Sequence, residues 1–360
     1  MKHLFLFRTA VIIGIAPFIL SGCISIKTNP SANQPKTDLG WFVTVDNGVS
    51  WQQLAAIQSA GADRPNLAGT NITGIVRDPS DPLTFYTLTD SRGLLWSYDQ
   101  MKTWQQGREF RTGKVHSLAI DPQNNCTLYL GQGRTIYKST DCARSWQKMY
   151  FDTRSNIVFS ALLVDRVNTQ LVYAGNMQGE FVRSFNGGAD WQTVKRFNNP
   201  VLELRSYAAD PSLMYALTQS SGIYNSRDGG MEWSDWNDAL KPYGGSNKYV
   251  QLALNPLDLN FILYLSDFGM LESRDGGATW QEVQINTPRK GTKIFSVAFN
   301  PKNTDELYYT TANVFYYSKD SGATWSTSNL PTTAEPRMLF MDEENLPTLY
   351  LGTYRPAPKK

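Results

Sequence analysis

The chain has 360 residues, of which 41% are hydrophobic and 12% aromatic, and it carries a formal net charge of +2. That length suits two ordinary domains or one large all-β domain, and the apolar content excludes disorder over most of the chain. The near-neutral charge argues against nucleic acid, or a strongly anionic surface, as the main partner. His116 is the only histidine beyond the first ten residues, so the residues needed for a His-based metal site or for Ser-His catalysis are incomplete. We therefore expect no metal and no cofactor.

The first element in chain order is an apolar segment with a basic start. Lys2 and Arg8 flank the beginning of AVIIGIAPFIL, a run at 10–20 that is too short to span a membrane comfortably. The string LSGC follows and ends at Cys23. It resembles the lipobox of bacterial lipoproteins, which implies a signal peptide at 1–22 and a lipid on Cys23. An ordinary signal peptide that contains a cysteine is the alternative.

The next segment, 23–38, reads as the lipidated cysteine and a flexible tether, because ISIKTNPSANQPKTD is polar and contains two prolines. No later segment contains 18 consecutive apolar residues, so the lipid is expected to be the membrane attachment. The expected location is extracytoplasmic and membrane-anchored, on the periplasmic side or the cell surface. In the lipoprotein family an Asp after the cysteine marks inner-membrane retention, and Ile24 in that place favours an outer membrane.

An eight-residue string with the pattern Ser-x-Asp-x-Gly-x-Thr-Trp recurs through the rest of the chain, and we call it the box. Successive box tryptophans are 42 to 53 residues apart, a period typical of propeller blades. The seven copies occupy residues 44–51, 97–104, 139–146, 184–191, 226–233, 273–280 and 318–325. Their third residues are Asp46, Asp99, Asp141, Asn186, Asp228, Asp275 and Asp320, and their last residues are Trp51, Trp104, Trp146, Trp191, Trp233, Trp280 and Trp325.

The box resembles the Asp-box, or bacterial neuraminidase repeat, over about residues 40–354. The resemblance implies a structural turn between the third and fourth strands of each blade. Its Asp would accept backbone N–H groups, its Gly would adopt positive φ, and its Trp would pack between blades. Met101 and Ala143 replace the Gly in two copies and Asn186 replaces the Asp in a third, so these turns are expected to be looser. A calcium or sugar site in the box is the alternative.

Strand counts around the first and last boxes predict how the ring closes. One short strand, 40–46, precedes the first box, and two strands within 336–354 follow the last. We predict an all-β fold in which 39–356 form a single seven-bladed β-propeller of four-stranded antiparallel blades. The C-terminal segment supplies the two inner strands of one blade and the N-terminal segment the two outer strands. Residues 357–360 are a tail.

Two aspartates match a pattern of glycoside hydrolases. Asp90 in TDSRG and Asp267 in YLSDFG resemble the Asp of xyloglucanase-type hydrolases, which lies between strands two and three, and the resemblance implies an acid–base pair. The two lie on opposite sides of the predicted ring, farther apart than the roughly 6.5–9.5 Å of an inverting pair. Sialidases have an early Arg-Ile-Pro signature, which is missing here. We expect a non-enzymatic protein, with a glycoside hydrolase as the alternative and polar turn residues as the simplest role for both aspartates.

Cys126 and Cys142 remain once Cys23 is assigned to the lipid. In a hairpin centred near Gln132–Gly133, residue 126 falls opposite residue 139 or 140, which places Cys142 within reach of a disulfide. An oxidising compartment favours the bond, and two unpaired thiols are the alternative. His116 is expected to be a packed polar residue on a strand.

The repeats and the lipid anchor together resemble the photosystem II stability and assembly factor family and the sortilin ectodomain, which bind polypeptide. The resemblance implies a monomeric propeller with a protein or peptide partner, possibly an assembly factor, and no photosynthetic role follows from it. A carbohydrate-active or sugar-binding propeller is the alternative. Candidate ligand-face residues are Arg92, Arg134, Gln178, Lys248, Lys293, Arg337 and Arg355, with the neighbouring Asn71, Gln132, Asn156, Asn176, Gln219 and Asn313.

Overall fold

The computed structural model describes residues 38–58, 66–207, 210–288 and 291–357. These residues form seven four-stranded antiparallel sheets, the blades of a seven-bladed β-propeller, as predicted. The predicted signal peptide, Cys23 and nearly all of the predicted tether lie outside the described residues. Within the described ranges, no helix is long and apolar enough to cross a membrane.

The strands are numbered in chain order. The first nine are β1 (Trp41–Thr44), β2 (Gln52–Leu54), β3 (Ile72–Arg77), β4 (Phe85–Thr89), β5 (Leu94–Ser97), β6 (Gln105–Gln106), β7 (Ser117–Asp121), β8 (Asn124–Gln132) and β9 (Thr135–Ser139). The next nine are β10 (Gln147–Phe151), β11 (Phe159–Val164), β12 (Val172–Asn176), β13 (Glu180–Ser184), β14 (Gln192–Arg196), β15 (Val201–Ser206), β16 (Met214–Thr218), β17 (Ile223–Ser226) and β18 (Ser234–Asp235). The helix α1 (Asn237–Leu240) precedes β19 (Tyr249–Leu254), β20 (Ile262–Ser266), β21 (Gly269–Ser273), β22 (Gln281–Glu282), β23 (Ser296–Asn300), β24 (Asn303–Thr310), β25 (Val314–Ser318), β26 (Ser326–Asn329), β27 (Glu335–Met341) and β28 (Leu349–Tyr354).

Blades 1 to 6 each use four consecutive strands, from β3–β6 to β23–β26, and blade 7 joins both ends of the chain in the order β2-β1-β28-β27. The join is antiparallel, with Trp41 opposite Gly352 and Thr44 opposite Leu349. The predicted closure is therefore confirmed. Backbone pairing between distant segments closes the ring, and each blade is left with only short strand edges.

Hydrophobic side chains fill the spaces between blades. Seven clusters of buried residues are present, and each combines side chains from two consecutive blades. The second strand of every blade contributes a tyrosine that is at most 3% exposed. These residues are Tyr86, Tyr129, Tyr173, Tyr215, Tyr264, Tyr308 and Tyr350. Burial on both faces of the inner strands explains why they read as nearly continuous apolar runs rather than as alternating ones.

The propeller has two faces with different contents. Turns between the third and fourth strands hold the boxes, and they share one face with the turns between the first and second strands. We call this the box face. The opposite face holds the turns between the second and third strands and the connections between blades, and we call it the loop face. Both ends of the described chain, near Asp38 and Arg355, lie on the loop face, because β1 begins and β28 ends there.

All seven boxes share the bonds made by the first hydroxyl and by the seventh backbone N–H, and a hydroxyl at the seventh position adds one more bond in five of them. In the sixth copy, Ser273 donates to Asp275 at 2.8 Å and accepts the N–H of Gly277 at 2.8 Å. The Asp275 carboxylate accepts both the N–H and the hydroxyl of Thr279, at 2.8 and 2.6 Å. Residues at the fourth and fifth positions adopt positive φ in all seven copies. The box is thus a closed turn whose polar groups are satisfied internally.

The three altered boxes are not looser, which corrects our expectation. Met101 and Ala143 adopt φ of 66° and 68° although they are not glycines, and their N–H groups bond the first hydroxyl at 2.8 and 3.0 Å. Asn186 uses its Oδ1 as the Asp copies do, accepting the N–H of Asp190 at 2.9 Å. Both Met101 and Ala143 are almost fully buried, so packing of the side chain offsets the backbone strain.

All seven box tryptophans pack in a cluster that joins their blade to the preceding blade. Trp104 and Trp280 are 0% and 6% exposed, and the other five are half-buried. The second-strand tyrosines reach the boxes from the other side: Tyr129 donates to the carbonyl of Gly187 at 2.9 Å, in the next blade. The boxes therefore connect neighbouring blades, which gives them an architectural role.

Candidate functional site

The loop face is held together where the chain begins and ends. The Asn71 amide donates to the carboxylate of Asp90 at 2.7 Å and to the carbonyl of Arg355 at 2.9 Å. Arg355 in turn contacts Asp38, whose carboxylate also accepts the N–H of Thr333 at 2.8 Å. Asp38 was expected at the end of a flexible tether, but these bonds fix it to blade 7. A continuous set of polar contacts therefore runs from the entry of the chain to the second turn of blade 1.

Asp90 and Asp267 lie on the loop face but not together. Asp90 is in blade 1 and Asp267 in blade 5, with at least two blades between them in either direction. Asp90 accepts its bond from Asn71, and Asp267 pairs with Lys248 at 3.2 Å. Within the described ranges the carboxylates of Asp90 and Asp267 do not contact each other. Each is occupied by its own neighbour, so the two do not form an acid–base pair.

The other predicted ligand-face residues divide into paired and unpaired side chains. Arg337 lies inside strand β27 rather than in a loop, as a correction to the prediction, and it pairs with Glu335. Lys248 and Arg355 are also paired with carboxylates. Arg92, Arg134, Gln178 and Lys293 lie in loops as expected, and among the described residues none of the three cations in this group contacts a carboxylate.

A buried polar network lies between blades 2 and 3. The Glu180 carboxylate, 5% exposed, accepts both terminal nitrogens of Arg154 at 3.0 and 2.7 Å, as well as Asn176 at 2.9 Å. Arg154 also reaches Asp152 at 2.7 Å, and Arg196 reaches Glu180 at 3.2 Å. The bonds from Arg154 lower the pKa of Glu180 to about 2. Because every charge here has a partner, the network stiffens the loop face rather than offering a free binding group.

A second charged cluster lies on the innermost strands. Glu203 contacts Arg205 on its own strand and the hydroxyl of Tyr249 in the next blade. The Arg205 side chain is 51% exposed on β15, the innermost strand of blade 4, which borders the central channel. Burial and the nearby Glu203 carboxylate raise the pKa of Tyr249 well above its usual range. The cluster ties blades 4 and 5 together at the channel wall.

A groove of about 600 Å³ opens on the loop face between blades 4 and 5. Its lining residues are Ser220, Ser221, Tyr224, Asn237, Asp238, Leu240, Lys241, Tyr243, Gly244, Gly245, Ser246 and Asn247. One wall is the second turn of blade 4, and the other is the connection that contains α1. Asp267 lies against Gly245 at one end of the groove. In the described part of the chain, the side chains of Asp238 and Lys241 have no polar partner.

The wall containing α1 is fixed to the core. Leu240 and Trp236 are 2% and 8% exposed and pack in the cluster between blades 4 and 5. The hydroxyl of Tyr243 donates to the carbonyl of Trp280, and its ring meets Phe268 edge-on with centroids 5.1 Å apart. The opposite wall is fixed as well, since the Asn247 amide donates to the carbonyl of Ser220 at 3.0 Å. The groove is therefore preformed, with free polar groups and tyrosine side chains along it.

Cys126 and Cys142 are adjacent, with their sulfur atoms paired and their Cα atoms 3.8 Å apart. The N–H of Cys142 also donates to the carbonyl of Cys126 at 3.1 Å. The expected register was short by one or two residues: Leu128 pairs with Ser139, so Cys126 is level with Asp141. The turn consists of residues 133–134 rather than being centred on 132–133. The bond itself stays a prediction, with its test given below.

His116 lies directly before β7 rather than on a strand, and its Nδ1 accepts the N–H of Gly133 at 3.1 Å. Burial and the charge of Lys114 lower its pKa to about 4. It is neutral at physiological pH and supports a turn. Over the described ranges no group of three or more His, Cys, Asp or Glu side chains is placed to hold a metal ion.

Sequence reasoning missed the groove, the channel cluster and the repeated tyrosines. A tyrosine recurs in the second strand of every period at steps of 42 to 49 residues, so a search for more than the box would have found it. The groove carries a weaker signal: the connection between β18 and β19 is one of the longest between blades. Glu203 and Tyr249 are 46 residues apart and have no shared motif, so nothing in the sequence pairs them.

Curated sequence relatives of the chain are xyloglucanases. The xyloglucanase Xgh74A of Acetivibrio thermocellus is 24% identical over 332 residues, covering 76% of this chain and 39% of the relative. A probable oligoxyloglucan-reducing end-specific xyloglucanase of Neosartorya fischeri is 27% identical over 281 residues, covering 69% of this chain and 31% of the relative. The chain thus spans less than half the length of these relatives. No protein-family model matches it.

Similar solved structures are of two kinds. The GH74 enzyme of Niastella koreensis superimposes with a TM-score of 0.59 at 17% identity, covering 84% of this chain and 53% of the enzyme. YCF48 bound to D1 peptide gives a TM-score of 0.59 at 13% identity, covering 81% of this chain and 94% of YCF48. YCF48 from Cyanidioschyzon merolae gives 0.60 at 12% identity. These likenesses show the seven-bladed propeller fold, which enzymes and a peptide-bound protein share.

Proposed function

We propose that this protein is an extracytoplasmic, lipid-anchored propeller that binds a protein or peptide partner in the groove between blades 4 and 5, and that it acts as an assembly or stability factor. The groove carries the proposal. Its walls are fixed to the core, and its volume of about 600 Å³ is within the usual range of ligand sites. Its free carboxylate, ammonium and hydroxyl groups can bond peptide amides, and its tyrosines can pack against side chains.

The extent of the structural match also supports a polypeptide partner. The chain matches 94% of a YCF48 structure determined with a bound peptide, but only 53% of a GH74 enzyme. Asp90 and Asp267, the two carboxylates that the alternative, hydrolytic reading would use, lie on separate blades and are bonded to Asn71 and Lys248.

A carbohydrate-active propeller is the second candidate. Its support is the sequence similarity to xyloglucanases at 24% to 27% identity, together with the position of Asp267 at the end of the groove. Hydroxyl and amide groups beside tyrosines also suit a sugar. Under this candidate the groove would hold an oligosaccharide, with Asp238 in its lining and Asp267 beside Gly245.

A peptide-display selection on the immobilised protein distinguishes the two candidates. Selected peptides should bind the wild type and lose binding in Ser221→Trp, which fills the groove. Val167→Trp is the matched control, because Val167 is 72% exposed on the box face, and it should bind normally. Peptides that bind Ser221→Trp as tightly as the wild type would remove the groove from the proposal.

The enzymatic candidate is tested in parallel with xyloglucan. Release of reducing ends by the wild type, lost in Asp267→Asn or Asp90→Asn, would favour the hydrolase. We expect no release above that of a heat-denatured sample. Soluble xylogluco-oligosaccharides that displace the selected peptides without being cleaved would instead indicate a sugar-binding module.

A further inference from the structure

One sector of the loop face carries unpaired positive charge, and we call it the basic sector. It consists of the second turn of blade 1, the later part of the connection from blade 1 to blade 2, and the second turn of blade 2, at residues 90–93, 110–116 and 133–134. Its basic residues are Arg92, Arg111, Lys114 and Arg134, and its carboxylate is Asp90. The sector is thus net positive in a chain whose overall charge is close to neutral.

The carboxylate of the sector does not neutralise its cations. Asp90 accepts a hydrogen bond from Asn71. Among the described residues no carboxylate lies within ion-pair distance of the four basic side chains, and the carboxylate near Arg134, that of Asp152, is paired with Arg154. By contrast, five cations elsewhere on the same face contact carboxylates: Arg154, Arg196, Lys248, Arg337 and Arg355. Lys241 and Lys293 are unpaired singly, so the basic sector is where several unpaired cations of the described loop face lie together.

Backbone bonds hold the basic sector in place. The N–H of Gly93 donates to Gly113 at 3.0 Å, and the N–H of Gly113 donates to Ser91 at 2.9 Å. Arg111 and Lys114 are exposed on this platform, and their side chains make no hydrogen bond to a described residue. Substituting them should therefore remove charge without unfolding the loop.

The sector borders the point at which the chain enters the propeller. Asp38 contacts Arg355, Arg355 contacts Asn71, and Asn71 contacts Asp90, the first residue of the sector. Under the proposed function the lipid is on Cys23, so the fourteen residues 24–37 join it to Asp38. Fully extended, they span at most about 50 Å. A lipid on so short a connection keeps the loop face close to the headgroups.

From this charge and this entry point we infer that the basic sector rests on the anionic headgroups of the phospholipid bilayer that holds the lipid, so that the loop face is directed toward the membrane. The inference depends on the lipid anchor of the proposed function but not on its polypeptide groove, which lies in other blades. A single acyl signal gives reversible attachment, and nearby basic side chains are the usual second signal. The partner would then be captured at the membrane surface.

Hydrogen exchange on the full lipoprotein tests the inference. The protein is reconstituted on vesicles of pure phosphatidylcholine and on vesicles with about 30% phosphatidylglycerol, and amide protection is compared at low and high salt. We expect segments 90–93 and 110–116 to gain protection on the anionic vesicles and to lose it at high salt. Equal protection on neutral vesicles, or protection confined to the box face, would overturn the inference.

A matched pair of variants locates the effect. In the first, Arg92, Arg111 and Lys114 are changed to Gln, and in the control the box-face residues Lys102, Arg144 and Lys319 are changed to Gln. Each basic side chain near an anionic surface contributes roughly fivefold in partitioning. The first variant should therefore lose about a hundredfold or more of its preference for anionic over neutral vesicles, and the control far less. Equal losses would refute a defined sector.

The remaining outcomes separate the two proposals. A lipoprotein that does not sediment with neutral vesicles refutes the lipid anchor alone. Hydrogen exchange on anionic vesicles then still tests whether the basic sector contacts headgroups. A basic sector that is protected by the selected peptides but not by any vesicle would assign it to the polypeptide partner instead, and would refute the membrane contact.

Discussion

The guanidinium of Arg355 contacts both carboxylate oxygens of Asp38, at 2.8 and 2.9 Å, across 317 positions of the sequence. The same carboxylate accepts the N–H and the hydroxyl of Thr333 at 2.8 and 2.6 Å. Both residues flank the antiparallel pairing of β1 with β28, which closes the ring. The contact therefore fastens the edge of the blade in which the two ends of the chain meet.

Removing this contact should weaken the closure of the ring. We expect Asp38→Ala to lower the free energy of unfolding by about 1–2 kcal/mol, since three donors lose their acceptor while Arg355 is half exposed and partly screened. Urea denaturation measures this change in the free energy of unfolding. Lys248→Ala is the control, because its ion pair with Asp267 is exposed on both sides, and its effect should be close to zero. An unchanged midpoint in Asp38→Ala would show that backbone pairing alone closes the blade.

The box tryptophans should matter for stability and not for binding. Trp280 is 6% exposed, packs between blades 4 and 5, and meets Trp236 and Tyr264 edge-on. We expect Trp280→Ala to cost about 3–5 kcal/mol, and Trp104→Ala, at a residue that is 0% exposed and lies away from the groove, between blades 7 and 1, to cost a similar amount with peptide binding retained once the variant is folded. Calorimetry measures the loss of stability, and a binding titration measures peptide affinity. A variant with a normal melting temperature and no binding would reverse the architectural assignment of the boxes.

Acid should loosen the boxes between about pH 4 and pH 2. Hydrogen bonds from Ser145 lower the pKa of Asp141 from 3.8 to about 2, and those from Ser50 do the same for Asp46. A carboxylate whose pKa is depressed in the folded state contributes stability above its unfolded pKa and loses it as pH falls through the folded value. The melting temperature should therefore fall over this window, and less steeply in Asp46→Asn/Asp141→Asn.

In the fourth box a carboxylate can be added rather than removed, which should change the pH dependence of stability in the opposite direction. Its Asn186 amide donates to the Asp190 carboxylate at 2.8 Å, so Asn186→Asp would place two carboxylates together. We expect this variant to be less stable than the wild type at pH 7 and to recover part of the difference near pH 4, as one carboxyl takes a proton. Identical pH profiles for both proteins would argue that the box carboxylates are not coupled to folding.

Thiol labelling should find no free cysteine among Cys126 and Cys142. We expect no reactive thiol in denatured mature protein isolated without reductant, and two after reduction. The bond would close a loop of about 15 residues, worth roughly 3 kcal/mol in the chain-entropy model. Cys126→Ala/Cys142→Ala should lower the free energy of unfolding by a similar amount, and a reduced wild type should match it. Two reactive thiols before reduction would rule the bond out.

The lipid prediction is tested at Cys23. Cys23→Ser should abolish incorporation of labelled fatty acid and release soluble or uncleaved protein from the membrane fraction, because the lipid is attached through that thiol. Fractionation and acyl labelling measure both effects. A variant with Ser21→Ala, which keeps a small residue before the cysteine, should still be labelled. Membrane partitioning and labelling that are unchanged in Cys23→Ser would place the attachment elsewhere.

The sequence by itself determined the architecture of the described chain. Seven boxes at one spacing, each after three short β-rich runs, define seven blades, and the unequal strand counts beside the first and last boxes define the closure. These signals are local and repeated, so each copy reinforces the others. Positive φ at Met101 and Ala143 was not foreseen, because burial of a side chain in a blade interface outweighs the local preference for glycine.

The tertiary structure decided what the surface can do. Glu203 and Tyr249 meet only because blades 4 and 5 are neighbours, and the groove exists only because the connection containing α1 stands beside the second turn of blade 4. Net charge argued against an anionic surface as the main partner, yet it averages over the whole chain. The fold pairs five loop-face cations with carboxylates and leaves four unpaired ones together in the basic sector, beside the entry of the chain. Such positions depend on contacts between residues far apart in sequence, which no local pattern records.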